Sequence, residues 1–238
     1  MTVAVVIVAA GRGLRLGAEL PKQYLPLGKS TSICLAIEAF LRVEEVSWIV
    51  PVIHPADREL CHAAVARIED HRLVDPIDGG ATRAISVRRG LESLIDQGPD
   101  RVLIHDAARP FVSEAIIRRV ISALDTASGA CAALPVVDAL WTSKDLLADR
   151  SVPRDGIWRA QTPQGFNFRK IVEAHQSHGG TGADDVAVAR EAGLDIQLVE
   201  GSEQNYKITT QADLERAGRD IAQYADPVFG LASNYVAE

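Results

Sequence analysis

Val3-Ala4-Val5-Val6-Ile7-Val8-Ala9-Ala10-Gly11-Arg12-Gly13-Leu14-Arg15-Leu16-Gly17, followed shortly by Pro21-Lys22-Gln23-Tyr24, is the stretch whose reading decides the fold. Val3 to Val8 is apolar and mostly β-branched, as a strand buried on both faces of a parallel sheet must be. Two alanines and the glycines at 11 and 13 then let the backbone pass close to a ligand. Arg12, Arg15 and Lys22 place three cations on or beside that turn. A small-residue turn at the carboxyl end of a first strand, bearing positive charge, suits a polyphosphate. Gly-x-Gly also serves many α/β proteins as a plain tight turn, so the turn alone leaves both readings open.

Spacing removes two nucleotide motifs. A dinucleotide fingerprint needs a small residue three positions after the second glycine, where this chain has Leu16. Gly28-Lys29-Ser30 resembles the end of a P-loop, but the opening glycine would fall on Gln23, so Lys29 reads as a solvated turn residue.

Alternating apolar runs and helical patterns imply βαβ units around a mainly parallel sheet. The spacing predicts a helix capped by Thr31 or Ser32, a strand over Val46–Ile53, a helix over Asp57–Ile68, and a short strand at Leu73–Val74. It continues with a helix over Thr82–Ile95 and a strand over Val102–Ile104 that delivers His105 and Asp106 to the edge bearing the glycine turn. Further on, Phe168–His175, Asp184–Glu191 and Thr210–Tyr224 read as helices, and Ile196–Val199 and Tyr206–Ile208 as strands. Residues 139–160 break the alternation with Trp141, Trp158 and a turn-forming Asp155-Gly156 pair, the pattern of a protruding hairpin-like β-arm. Aromatics on such an arm suit a partner surface, although a flap folded on its own domain has the same sequence.

Composition fits one soluble domain over residues 1–238. Hydrophobic residues make up 47% of the chain without a long apolar run, which argues against a membrane protein. A net charge of −7 makes nucleic acid a poor partner. No charged leader with a cleavage site precedes the first strand, so a cytoplasmic location is expected. Cys34, Cys61 and Cys131 are widely spaced and odd in number, against a disulfide framework or structural zinc.

Ala-Ala-Gly-x-Gly-x-Arg with Pro-Lys-Gln-Tyr resembles the signature of nucleotidyltransferases that activate small phosphorylated sugars and polyols, and more narrowly the 2-C-methyl-D-erythritol 4-phosphate cytidylyltransferases of non-mevalonate isoprenoid synthesis. Gly79-Gly80-Ala81-Thr82-Arg83-Ala84-Ile85-Ser86-Val87, His105-Asp106-Ala107-Ala108-Arg109-Pro110, Arg154-Asp155-Gly156-Ile157-Trp158, Gln161-Thr162-Pro163-Gln164 and Asn205-Tyr206-Lys207-Ile208-Thr209 follow in the family's order. The resemblance implies a Rossmann-like α/β fold and transfer of CMP from CTP to methylerythritol phosphate. It implies Arg15, Lys22 and Lys207 as catalytic cations, and a nucleotide site of Ala9, Ala10, Gly11, Gly13, Gly80, Ser86 and Asp106. Arg109 and Arg154 would bind the acceptor phosphate, with residues 139–160 as a dimerisation arm, so a homodimer is expected. Mg²⁺ is the expected cofactor, with Asp106 as its best single protein contact. His105 reads as structural, or as orienting the aspartate. In an acidic chain with polyanionic substrates, Arg12, Arg15, Lys22, Arg109 and Lys207 should converge on one cleft.

Two positions depart from the family pattern. Ala139 stands where a threonine is familiar in the arm, removing a hydroxyl contact to the acceptor phosphate, and Ala81 stands where an acidic residue is familiar. Ribitol 5-phosphate cytidylyltransferases share most nucleotide-side motifs and are the alternative within the class. A non-catalytic nucleotide-binding module is the alternative from another class, though Arg15, Lys22 and Lys207 are all present.

Overall fold

In a computed structural model, residues 1–12, 20–180 and 182–224 are described. The first strand, β1 (Val3–Ala9), is buried almost throughout. Its residues divide by parity: Val3, Val5 and Ile7 pack in one apolar layer, while Ala4 and Val6 pack in the other. Both parities are apolar because helices cover both faces of the sheet. Beyond Leu20, a 3-10 turn at Lys22–Tyr24 leads into a two-residue ribbon, β2 (Pro26–Leu27) and β3 (Ser30–Thr31). Thr31 then caps α1 (Ser32–Leu41), its side chain accepting from the Cys34 N–H.

The chain continues through β4 (Val46–Ile53), α2 (Arg58–Val65), β5 (Ile77–Asp78), α3 (Arg83–Glu92), β6 (Arg101–Asp106), α4 (Glu114–Ala123) and β7 (Gly129–Pro135). There follow β8 (Leu140–Lys144), β9 (Leu147–Val152), β10 (Trp158–Asn167), α5 (Phe168–Ser177), α6 (Asp185–Glu191), β11 (Ile196–Glu200) and α7 (Gln211–Tyr224). The main sheet has seven strands in the order β11-β7-β10-β6-β1-β4-β5. All its pairings are parallel except those of β10, which runs antiparallel to both β6 and β7. The expected mainly parallel α/β sheet is therefore present, with one reversed strand inside it.

One face is covered by α1 and α4 through Ile33, Ile37, Phe40, Ile117 and Val120. The other is covered by α3, α5 and α6 through Val87, Leu91, Ile171 and Val188. Helix α3 lies close to the sheet because Gly90 has no side chain: a Cβ there would meet Val6 Cγ1 at 2.7 Å and Val52 Cγ2 at 2.8 Å.

The arm is the hairpin β8–β9. Its reversal falls at Asp145 and Leu146, which both have positive φ (52° and 65°). Asp155-Gly156 forms the expected turn, with Gly156 at φ 77°, and it feeds the chain back into β10. Trp158 to Ala160 already pair with β7 in the main sheet, so the projecting part is shorter than 139–160. Two expected short strands do not form. Leu73 makes an isolated bridge to Ile49, and within Tyr206–Ile208, among the described residues, the Ile208 N–H donates to the Ala108 carbonyl without a ladder. Apolar composition marks both segments, but neither gains a continuous ladder. The helices expected from Asp57 and Thr82 are shorter, at Arg58–Val65 and Arg83–Glu92, and α4 and β7 add to the elements expected from sequence.

Candidate active site

The carboxyl ends of β1 and β6 open into a cavity of about 900 Å³. Ala9, Ala10, Gly11 and Arg12 form its floor at the end of β1, and Lys22, Gly80, Arg83, Ser86, Asp106 and Lys207 line its sides. Gly13 and Arg15 lie outside the described residues. A second cavity, of about 650 Å³, sits among Asp100, Arg101, Asp125, Ser128 and Lys170, away from these strand ends.

The glycine turn is held from beneath by Gln23, which is buried and donates from Nε2 to the Ala9 carbonyl (2.6 Å) and the Gly11 carbonyl (3.2 Å). Gln23 belongs to the Pro-Lys-Gln-Tyr motif, yet the sequence alone assigns it no role. Its amide fixes the direction of the turn that follows the first strand. Arg12, in the cavity lining, pairs with the buried carboxylate of Asp57 at 2.7 Å.

The Gly79-Gly80 loop meets that turn at close range. A Cβ on Gly79 would lie 2.6 Å from the Ala10 Cβ and 2.9 Å from Ser86 Oγ, so a side chain there would force the two loops apart. Ser86 Oγ accepts from Gly80 N–H (3.0 Å) and donates to the Thr82 carbonyl (2.9 Å). The hydroxyl thus closes the loop on itself and aims its backbone at the cavity.

Asp106 ends β6 and is nearly buried, with Lys207 Nζ at 2.7 Å, Arg83 Nε at 3.4 Å and Arg109 Nε at 3.9 Å from its carboxylate. Burial alone would raise its pKa, but Arg83 and Lys207, followed by Arg109, hold it well below the ordinary carboxylate range. Lys22 Nζ donates to the Ile208 carbonyl at 2.6 Å, so its ammonium rests on the segment that bears Lys207. Among the described residues, Arg12, Lys22, Arg83, Arg89 and Lys207 line the cavity against the single carboxylate of Asp106. A chain of net charge −7 therefore focuses positive potential at one place.

His105 is fully buried. Its Nε2 lies 3.0 Å from the Arg109 carbonyl, which only accepts, so Nε2 carries the proton. Nδ1 is then left to accept from the Thr162 hydroxyl at 3.1 Å, while the same hydroxyl accepts from Asp106 N–H at 3.1 Å. Burial pushes the imidazole pKa down to about 4. A neutral ring with both nitrogens engaged orients the end of β6, in keeping with the structural reading of His105.

Two of the expected phosphate ligands stand outside the cavity lining. Arg109 is mostly buried behind Asp106 and donates to the Asn205 carbonyl at 2.7 Å. Arg154 lies exposed at the base of the arm and donates to the Val137 carbonyl. Of the five cations expected to converge, Arg12, Lys22 and Lys207 line the cavity, Arg109 backs the carboxylate, and Arg15 lies outside the described residues; Arg83 and Arg89, absent from that expectation, also line the cleft. The signal for Arg83 is its place in the Gly79–Val87 motif.

A Rossmann-like sheet whose strand ends carry a glycine turn and a cationic cleft defines the class, an α/β nucleotidyltransferase. The family model described as IspD: 2-C-methyl-D-erythritol 4-phosphate cytidylyltransferase matches residues 3–222, and the chain belongs to that family. A 2-C-methyl-D-erythritol 4-phosphate cytidylyltransferase of Cereibacter sphaeroides (strain ATCC 17029) is 46% identical over 222 residues, covering 93% of this chain and 98% of the relative. A bifunctional enzyme IspD/IspF of Paramagnetospirillum magneticum is 49% identical over 214 residues, covering 90% of this chain but 55% of that longer protein. The crystal structure of the Thermus thermophilus cytidylyltransferase superposes with a TM-score of 0.75 at 32% identity, covering 93% of this chain and 100% of that one. Among the described residues no helix is long and apolar enough to cross a membrane.

Proposed function

We propose that this chain carries out its family's reaction, transfer of CMP from CTP to 2-C-methyl-D-erythritol 4-phosphate with release of pyrophosphate, using the cationic cleft at the end of β1 and β6. The observation that carries the residue assignment is the convergence of Lys22, Lys207 and Arg83 beside the glycine turn. An oxygen of the acceptor's phosphate attacks the α-phosphorus of CTP in line. The new O–P bond forms as the bond to the β-phosphate oxygen breaks, and its electron pair leaves with pyrophosphate. The nucleophile is already an anion, so no general base is required, which agrees with a neutral, fully engaged His105. Catalysis then rests on positioning and on cations matched to charge growing on the α-phosphate and leaving group. We assign that work to Lys22, Lys207 and Arg15. Backbone groups of Ala9, Ala10, Gly11, Gly13 and Gly80, with the loop closed by Ser86, would select the base.

Among the described residues Asp106 is the one carboxylate lining the cavity, and no group of three or more His, Cys, Asp or Glu is spaced to hold a metal unaided. That donor set fits Mg²⁺ bound mainly through triphosphate oxygens and water, with Asp106 as its protein contact. When bound, the ion would neutralise phosphate charge.

Arg109 and Arg154 are assigned to the acceptor phosphate. Arg154 would come from the partner subunit, because it lies at the base of an arm whose Trp141 (60% exposed) and Leu147 (74%) need a covering surface. We therefore propose a homodimer with composite sites, working in the cytoplasm, where Cys34, Cys61 and Cys131 stay reduced. Pyrophosphate release assayed with CTP or UTP against methylerythritol 4-phosphate and ribitol 5-phosphate tests the reading. Turnover is expected with CTP and methylerythritol 4-phosphate. Turnover with ribitol 5-phosphate alone would overturn the acceptor assignment, which Ala139 makes the sharper question.

A further inference from the structure

Behind the cavity wall, Arg83 bridges two carboxylates. Its Nε faces Asp106 at 3.4 Å, and its Nη1 lies 2.7 Å from Oδ2 of Asp185, which has no solvent exposure. The far oxygen of Asp185 lies 3.2 Å from Nε2 of His175, itself buried. Asp185 is the first residue of α6, and that helix end is fixed to the centre of the sheet. Gln164 of β10 accepts from Asp185 N–H at 3.1 Å through Oε1, and its Nε2 donates to Asp184 at 2.9 Å. The capping Asp184 in turn accepts from Ala187 N–H at 2.9 Å. Arg83, at the amino end of α3, is thus tied through Asp185 to helix α6 and, through the Gln164 contacts, to strand β10.

We propose that Asp185 is a positioning residue of the transfer reaction: by holding one side of the Arg83 guanidinium, it fixes the other side against Asp106 and so sets the orientation of that carboxylate in the cleft. The inference rests on the function proposed above. A planar guanidinium caught between two carboxylates has little freedom to rotate. With the Asp185 charge gone, Arg83 is drawn wholly to Asp106 or swings into the cavity, and Asp106 no longer presents the same oxygen toward Lys207. Asp185 itself stays out of reach of any substrate, so its effect on turnover has to pass through Arg83. A purely structural ion pair, by contrast, would affect stability while leaving the turnover of folded enzyme intact.

The test is a double-mutant cycle on pyrophosphate release, with Asp185→Asn, Arg83→Gln and the double variant, each paired with a thermal melt. Wild-type turnover of CTP with methylerythritol 4-phosphate is measured first, and its absence would defeat the function reading rather than this one. Given turnover, Asp185→Asn is expected to lower kcat about tenfold or more with KM for the acceptor unchanged, and the double variant to be no slower than Arg83→Gln alone. Asp185→Glu, which keeps the charge, is expected to recover most of kcat. Wild-type kcat in folded Asp185→Asn, or losses that multiply in the double variant, would overturn the proposal. Should Asp185→Asn not fold, the double variant, which removes both buried charges together, carries the test: kcat equal to that of Arg83→Gln supports it and a further loss refutes it.

Discussion

Replacing Lys207 by methionine separates the work of its charge from its contribution to the fold. The ammonium lies 2.7 Å from Asp106, and its side chain is 35% exposed. An ammonium about 4 Å from a phosphate charge interacts by about 4 kcal/mol at the effective dielectric of a partly solvated site. Only the part that grows as charge develops on the transferring group lowers the barrier. Preorganised donors of this kind contribute about 3 kcal/mol, so kcat should fall roughly a hundredfold. Stability should hardly change. Asp106 keeps Arg83 at 3.4 Å and Arg109 at 3.9 Å, so its carboxylate is not orphaned. A partly exposed ion pair is worth about 0–1 kcal/mol, or a midpoint change of at most about 2–4 °C in a chain of this size. Steady-state pyrophosphate release and a thermal melt on the same preparation measure both quantities. A loss of kcat below about tenfold, or a fall in midpoint beyond about 10 °C, would refute the reasoning.

Three other outcomes follow from particular residues. His105 has its pKa lowered from 6.5 to about 4 by burial, so the unfolded chain binds the extra proton between those values. Stability should therefore rise with pH across that window, and the contribution lost on acidification is roughly 3 kcal/mol; denaturant melts from pH 7 to 4 should show a flatter slope for His105→Gln, and an unaltered slope would contradict it. Mixing Lys22→Met with Arg154→Ala should restore activity in a purified heterodimer to about half the native level, because closed twofold symmetry leaves one composite site intact. A verified heterodimer as inactive as its parents would rule out the shared site. Gly90→Ala should cost about 1–3 kcal/mol, because the added methyl presses on Val6 Cγ1 at 2.7 Å and Val52 Cγ2 at 2.8 Å; an unchanged midpoint in calorimetry would show that α3 can shift freely.

The sheet was legible where burial writes itself into composition. Val3–Val8 is apolar at every position because both faces are covered, and Thr31 sits where a helix needs a cap. The antiparallel course of β10 was not legible, since Gln161-Thr162-Pro163-Gln164 is polar yet buried and gives no strand alternation. Those side chains serve as internal partners: Thr162 for His105 and Asp106, Gln164 for α6, and Gln161 for the loop at Ser202. The cleft shows the same division. Lys22, Asp106 and Lys207 announce themselves by motif, whereas Gln23 and Asp185 act on other protein groups, and their roles follow only from which atoms the fold brings within a few ångströms.

The late arrival of β10 has a consequence for the chain during its synthesis. Strand β6 pairs on one side with β1, which is already made, but on its other side with β10, which begins at Trp158. At about 5–20 residues per second, the ribosome leaves that edge open for several seconds. The edge carries Val102, Leu103 and Ile104, apolar residues with high strand propensity, a template for pairing with another nascent chain. Arg101 directly before the triplet and Asp106 two residues after it carry opposite charges, which discourage such stacking. Nascent chains stalled before Trp158 should accordingly pellet more readily than chains released after Asn167, and equal solubility of the two would argue against a vulnerable interval. The carboxylate that ends β6 in the cleft would then serve the polypeptide earlier as well, as a gatekeeper on an unfinished sheet.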